Sequence, residues 1–420
     1  MAGMRRISVS LAPKTVRSIR LFGLLVAQLC AYSMLSALCF ACPLYLFDCS
    51  GSSTLYGAVA AIAFVPGVLA TPAGGILADR GRHRGVLVML GIVLMAASLL
   101  FIPMKRSLPL AVVVAAMLCV QYGIQSLLKP MLQIETVRMT GPEKVERATA
   151  LVSQITMASN ILGPVVGTAV YGCFGIDALC ETAALTFAMS ALLFGGALKQ
   201  NASSGMTGDS TTCSTCRSDF RESIRYLFQN ASLLVVIMIA AVLNLELVGL
   251  TIGAPVIVAK HLGMQSSFVG IIEVAMGLGG LVGSGLVGIW PHRFSFKGIC
   301  RYVAMICFGV VPIIVTLLSG PDELAFAALA AGSAWVMAWA SIASVEIVSF
   351  VQRSAPKELC GKVLALVYMT LSCATPIGQL VYGLAYDRWT PVIVFAGMLA
   401  VLTLTTALFY RLKSRLWRLP

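Results

Sequence analysis

The chain has 420 residues, of which 59% are hydrophobic and only 11% charged, and its mean hydropathy is +0.92. A soluble domain carries about 25% charged residues, so a soluble fold is excluded and the chain reads as an integral membrane protein. The net charge of +13 does not indicate nucleic acid as a partner, because the basic residues fall in short clusters between apolar runs rather than along one face.

A helix crosses the hydrocarbon with about 20 apolar residues. Twelve such runs are predicted, at roughly 20–47, 54–78, 86–104, 110–136, 151–173, 180–198, 232–258, 266–290, 299–319, 325–351, 363–386 and 391–410. The first is too long for the core of a signal peptide and is read as a retained helix. After the second run comes Gly74–Gly85, GGILADRGRHRG, where an apolar stretch gives way to a dense charge cluster. Between the sixth and seventh runs lies the one long connection, 199–231. Its first half is rich in Ser, Thr and Gly and reads as a linker. Its second half places Phe220, Ile224, Leu227 and Phe228 at helical spacing, as in an amphipathic helix on a membrane surface. The thirteen cysteines are scattered, mostly within apolar runs, and read as small packing residues. The pair Cys213 and Cys216, alone in the linker, is a weak metal or redox signal.

Sorting the 30 Lys and Arg by the side on which these runs place them gives 25 on the side of the termini and linker. Four (Lys105, Arg106, Lys260, Arg388) fall on the other side, and Lys129 lies within a run. The positive-inside rule then puts both termini in the cytoplasm.

Six runs, a linker and six runs suggest duplication. Shifting the chain by 213 residues aligns Gly57 with Gly270, Gly67 with Gly280, Gly75 with Gly288, Arg80 with Arg293 and Gly85 with Gly298. The implied domains are 1–198, an N-terminal half; 199–231, a cytoplasmic linker; and 232–420, a C-terminal half. Two halves related by an axis along the membrane normal are one plan of secondary transporters.

Three stretches carry a family resemblance. They are Gly75-Ile-Leu-Ala-Asp79-Arg80-Gly81-Arg82-His83-Arg84, then Gly163-Pro164-Val165-Val166-Gly167-Thr168, and SDFRESIRYLFQN at the linker's end. Through them the chain resembles the major facilitator superfamily, and within it the exporters related to macrolide-efflux and enterobactin-export proteins. The resemblance implies an all-α membrane fold of twelve helices in two pseudo-symmetric six-helix halves. It implies a conformational latch at Gly75, Asp79, Arg80 and Arg84, holding the cytoplasmic side closed when the protein faces out. It gives Gly163, Pro164 and Gly167 as the antiporter-type motif, with Thr168 in place of the motif's last glycine. The arginine that many proton antiporters carry four residues before a glycine in the fourth helix is Cys119 here, counted from Gly123.

Polar groups inside the hydrocarbon are functional candidates. Gln121, Gln125, Lys129 and Gln133 recur every four residues; each step drifts by about 40°, so they form one slowly twisting stripe. The stripe faces either a transport path or neighbouring helices. Gln28, Gln121, Gln125, Lys129, Asn160, Asn244 and Gln379 are the substrate-cavity candidates. Glu246 and Glu273 are the proton-coupling candidates, since burial of a carboxyl favours its protonated form; a buried pair with Lys129 or a hydrogen bond across helices is the structural alternative. Glu135 and Glu346, near the cytoplasmic ends of their runs, are expected in the charge network of the loops. The chain shows no Walker loop, nucleophile triad or metal-ligand cluster, and neither an enzyme nor a cofactor is expected.

The sequence is read as a proton-coupled exporter of small amphipathic molecules, of drug, antibiotic or siderophore type. It is placed in the cytoplasmic (inner) membrane as a multi-pass monomer whose partners are substrate, protons and lipid. Uptake of a nutrient or lipid-like solute is the alternative; a non-transporting sensor would need a larger soluble domain than the linker supplies.

Overall fold

The fold is that of a computed structural model, which describes residues 14–79, 83–140, 145–197, 230–265, 267–290, 293–354 and 360–416. The described residues are helical almost throughout. The helices are α1 Lys14–Ser50, α2 Ser53–Asp79, α3 His83–Ser107 and α4 Leu110–Thr140, followed by a continuous stretch Val145–Ala197. A straight helix of its 53 residues would be about 80 Å long, more than twice the thickness of the hydrocarbon. Gly175 breaks it with φ 83° and ψ 177°, a backbone conformation open to glycine but costly for other residues. Its two arms are α5 (145–174) and α6 (176–197).

There follow α7 Ala231–Val256, which runs on as a π-turn Ile257–His261, and α8 Ser267–Ile289. The last four helices are α9 Ile299–Ser319, α10 Asp322–Ser354, α11 Cys360–Arg388 and α12 Pro391–Leu416. Ten stretches among the described residues are long and apolar enough to cross a membrane, that of 154–197 holding both arms around Gly175. Large apolar side chains such as Phe174, Leu185 and Leu192 stand outward, 77%, 74% and 76% exposed. Exposure on this scale is stable only where lipid is the solvent.

The two largest core clusters divide along the chain. One is built from residues between Leu24 and Ala197, the other, apart from Leu44, from residues between Val236 and Phe409. Within each group of helices small residues set the spacing, because lipid gives no hydrophobic reward for helix association and close van der Waals contact must supply it. A Cβ at Gly163 or Gly167 would collide with Ser36 and Ala37, so the Gly163/Gly167 face is where α5 lies on α1. Gly279 and Gly283 repeat the arrangement, seating α8 on the Ala334 and Ala338 carbonyls of α10.

The two groups meet along two helix pairs, α2 with α11 and α5 with α8. We call the face carrying the start of α1 and the end of α12 proximal, and the opposite face distal. The tightest meetings lie in the distal half. Gly57 of α2 sits against the Gln379 carbonyl and Gly383 of α11, and Gly383 against the Ser53 carbonyl. Gly270 of α8 receives the side chain of Thr168 of α5. The threonine that departs from the exporter pattern is thus the side chain that fills the α5–α8 seam.

Candidate functional site

The polar stripe on α4 changes surroundings as it twists. Gln121 is fully buried and its Oε1 accepts from the Cys39 thiol of α1 at 3.3 Å. One turn on, Gln125 is half-buried; another turn on, Lys129 is exposed. The 40° drift per step carries the stripe from the α1 contact outward. The stripe is therefore two things at once: interhelical packing at Gln121 and an accessible cation at Lys129. On α1, Gln28 is fully buried, and neither its amide oxygen nor its nitrogen has a hydrogen-bond partner among the described residues. The hydroxyl of Tyr32, one turn further on the same face, is likewise buried without one.

In the second group of helices the central feature is Glu246 of α7. It is 3% exposed, and Tyr382 of α11 donates its hydroxyl proton to the carboxylate at 2.5 Å. Tyr386, one turn further along α11, donates to the Gly249 carbonyl at 3.0 Å. The helices can approach this closely because Gly249 and Gly253, also one turn apart, leave room for the two tyrosine rings. Of the two structural alternatives for Glu246, the pair with Lys129 is not formed, since Lys129 is exposed; the hydrogen bond across helices is formed, from Tyr382. Glu273 of α8 is half-buried.

Around Asn244 a cavity of about 180 Å³ lies between α7, α10 and α11. Asn244, Ser341 and Ser344 supply its polar groups; Leu243, Leu247 and Met337 its apolar walls. The Asn244 amide nitrogen donates back to the Ala240 carbonyl at 3.1 Å, which leaves its oxygen as acceptor. A second hollow, of about 480 Å³ and almost wholly apolar, opens between α5 and α8 next to Thr168 and Gly270. Gln379 has its side-chain oxygen buried without a hydrogen-bond partner among the described residues, and its backbone forms the α2 contact. Asn160 is exposed on α5. Glu346 pairs with Arg353 at 3.8 Å near the proximal end of α10, while Glu135 is buried near that of α4.

The distal rim holds the arrangement that sequence reasoning missed. Asp387, next to last in α11, accepts from the backbone N–H of Ser53 at 2.8 Å and of Thr54 at 2.7 Å, and from the Ser52 hydroxyl at 2.9 Å. It thereby caps α2 from the other group of helices. Partial burial alone would raise its pKa; the bonds from Thr54, Ser53 and Ser52 outweigh that and hold the carboxyl well below the usual carboxylate range. A group whose pKa is depressed contributes above its ordinary pKa and loses the contribution only as pH falls through the depressed value. The cap is therefore expected to be fully charged from about pH 5 to 8, and carboxylate titration followed by infrared spectroscopy checks this. Lys260 stands 3.4 Å from the same carboxylate and 5.3 Å from the centre of the Phe47 ring of α1.

Gly75 and Asp79 lie on α2 and Arg84 at the exposed start of α3. The side chain of Asp79, all of Arg80, the Cys213/Cys216 pair and the linker's apolar face to Phe228 fall outside the described residues. No group of three or more His, Cys, Asp or Glu that could hold a metal ion occurs among the described residues.

Long apolar helices in two packed groups, meeting along a seam lined with buried polar groups, define a multi-pass helical membrane protein. The chain belongs to the Major Facilitator Superfamily, a family of membrane transporters, whose model matches residues 24–378. Solved structures share the fold. A bacterial homologue of the iron transporter ferroportin in an inward-facing state has a TM-score of 0.72 and 14% identity over 94% of this chain and 98% of that one. A bacterial homologue of the human lysosomal transporter Spinster, inward-facing and occupied, has a TM-score of 0.72 and 12% identity over 97% and 98%. A D-xylose–proton symporter has a TM-score of 0.65 and 14% identity over 95% and 97%. At this identity the likeness is one of fold. No curated protein sequence matches the chain.

Proposed function

We propose that this protein is a proton-coupled secondary exporter of small amphipathic molecules, working by alternating access in the cytoplasmic membrane. The reading has twelve crossings, two six-helix halves (1–198 and 232–420) joined by the linker 199–231, and both termini in the cytoplasm. The 25-to-4 distribution of basic residues supports that orientation. The protein is taken to act as a monomer.

The observation that carries the reading is the buried Glu246–Tyr382 bond, on the same helix as the Asn244 cavity. Protonating this carboxyl removes the charge that strengthens its bond from Tyr382, so the proton state of Glu246 acts on the α7–α11 contact. The cavity, lined by one amide, two hydroxyls and several apolar side chains, suits an uncharged, partly apolar group of about the size of an aromatic ring. The approach of α2 to α11 and of α5 to α8 in the distal half supports an inward-open state, the state from which an exporter loads. The Gly163-Pro164-Gly167 motif favours export over uptake.

Loss of the gene is expected to sensitise cells to one or more amphipathic antibiotics, or to cause a siderophore to accumulate inside them; re-expression reverses the effect. Sensitivity unchanged across such a panel, together with loss of growth on one carbon or nitrogen source, would favour uptake instead. Asp79→Asn is expected to slow turnover several-fold with surface expression unchanged, as a latch at the end of α2 requires. Normal turnover in that variant would leave the Gly74–Gly85 stretch as an orientation signal alone.

A further inference from the structure

Asp387 stands at an unfavourable place in its own helix. It is next to last in α11, where the free backbone carbonyls already carry partial negative charge and a carboxylate is disfavoured. Both its oxygens are turned to the other group of helices, where the first N–H groups of α2 carry partial positive charge. Lys260 joins the cluster at 3.4 Å and lies over the ring of Phe47, which is 2% exposed. Beneath this rim Phe47 and Tyr56 of the first group pack in one buried cluster with Ile252, Tyr382 and Tyr386 of the second. Gly57 and Gly383 leave the α2 and α11 backbones almost touching. Asp387 is the charged end of a layer that seals the distal face.

We propose that Asp387 is a lock: its capping bond to α2 holds the two groups of helices together at the distal face and must break before that face opens. The lock rests on the alternating-access reading above. The chain direction gives it a counterpart. Helix α2 begins at the distal face and ends in Asp79; α11 begins at the proximal face and ends in Asp387-Arg388. Each helix therefore carries an aspartate at the face where the other begins. One aspartate is engaged at the distal face here.

Pulsed electron spin resonance on the full chain in lipid nanodiscs tests this. Labels go on Ser107→Cys and Asp322→Cys, exposed at the distal ends of α3 and α10, in a background without other cysteines. Asp387→Ala is expected to raise the long-distance, distally open population about tenfold, the size of one lost charged cap. Asp387→Asn keeps an acceptor and is expected to shift it less. Asp79→Ala is expected to shift it the other way, and the double variant to return towards the parent. A distribution in Asp387→Ala and Asp387→Asn equal to the parent's would overturn the lock, and so would a shift in the same direction by Asp79→Ala. A parent with one distance under every condition, substrate and pH included, contradicts alternating access itself.

Discussion

Replacing Glu246 with glutamine is expected to abolish proton-driven transport, lowering it at least about 100-fold, while the protein remains folded and continues to exchange substrate without protons. Glutamine keeps the size of the side chain and an oxygen to accept from Tyr382, so the α7–α11 contact survives. It removes the only part of that contact that can gain and lose a proton. A mutation acting on one step of a coupled cycle separates exchange from net flux, whereas a mutation that disrupts packing lowers both. Tyr382→Phe provides the comparison. It removes the hydroxyl and leaves a buried carboxylate short of a partner, which costs about 1–3 kcal/mol. Transport in that variant is expected to fall, and its pH dependence to move, with coupling retained. Proteoliposome assays of counterflow and of gradient-driven flux measure both quantities; full coupling in Glu246→Gln would remove Glu246 from the mechanism.

The second large effect falls on stability. Gly279→Leu is expected to prevent folding, and Gly279→Ala to destabilise by about 1–3 kcal/mol, because a Cβ there collides with the backbone carbonyl of Ala334. A carbonyl cannot rotate away as a side chain can, so α8 and α10 have to part along their length. Gly285 on the same helix has open space around it, and Gly285→Ala is expected to be neutral or slightly stabilising. Thermal unfolding in detergent compares the two. Equal midpoints for Gly279→Ala and Gly285→Ala would show that the α8–α10 contact is loose.

The apolar runs made most of the helices legible, because a spanning helix has to satisfy its backbone internally and show lipid an apolar surface. The 213-residue offset also has structural content. Gly57 and Gly270, which it aligns, both lie in seam contacts, with α11 and α5 respectively. Gly67 and Gly280 both lie within their own group, on α4 through Tyr122 and Ser126 and on α10 through Ser341. Gly57 and Gly270 leave a mark in the sequence because a Cβ at either would collide with the facing helix.

Partners across the fold left no such mark. Tyr382 sits in an apolar run like other tyrosines. Its bond to Glu246 depends on the spacing of Gly249 and Gly253 matching that of Tyr382 and Tyr386, visible only once α7 and α11 are known to be neighbours. Asp387 was hidden for a different reason. It lies beside Arg388, which counted towards orientation, and its ligands are backbone N–H groups more than 300 residues away in the chain. Backbone donors have no residue identity to read.

Proton movement tied to substrate movement is the central claim, and it can be measured directly. Purified protein is reconstituted into liposomes loaded with a pH-sensitive dye, and each candidate substrate is added to one side with no imposed gradient. The account predicts that a transported compound changes the internal pH, in the direction of protons moving against the compound, and that Glu246→Gln abolishes the change. Transport of the compound with no movement of protons, in wild type and variant alike, would contradict it.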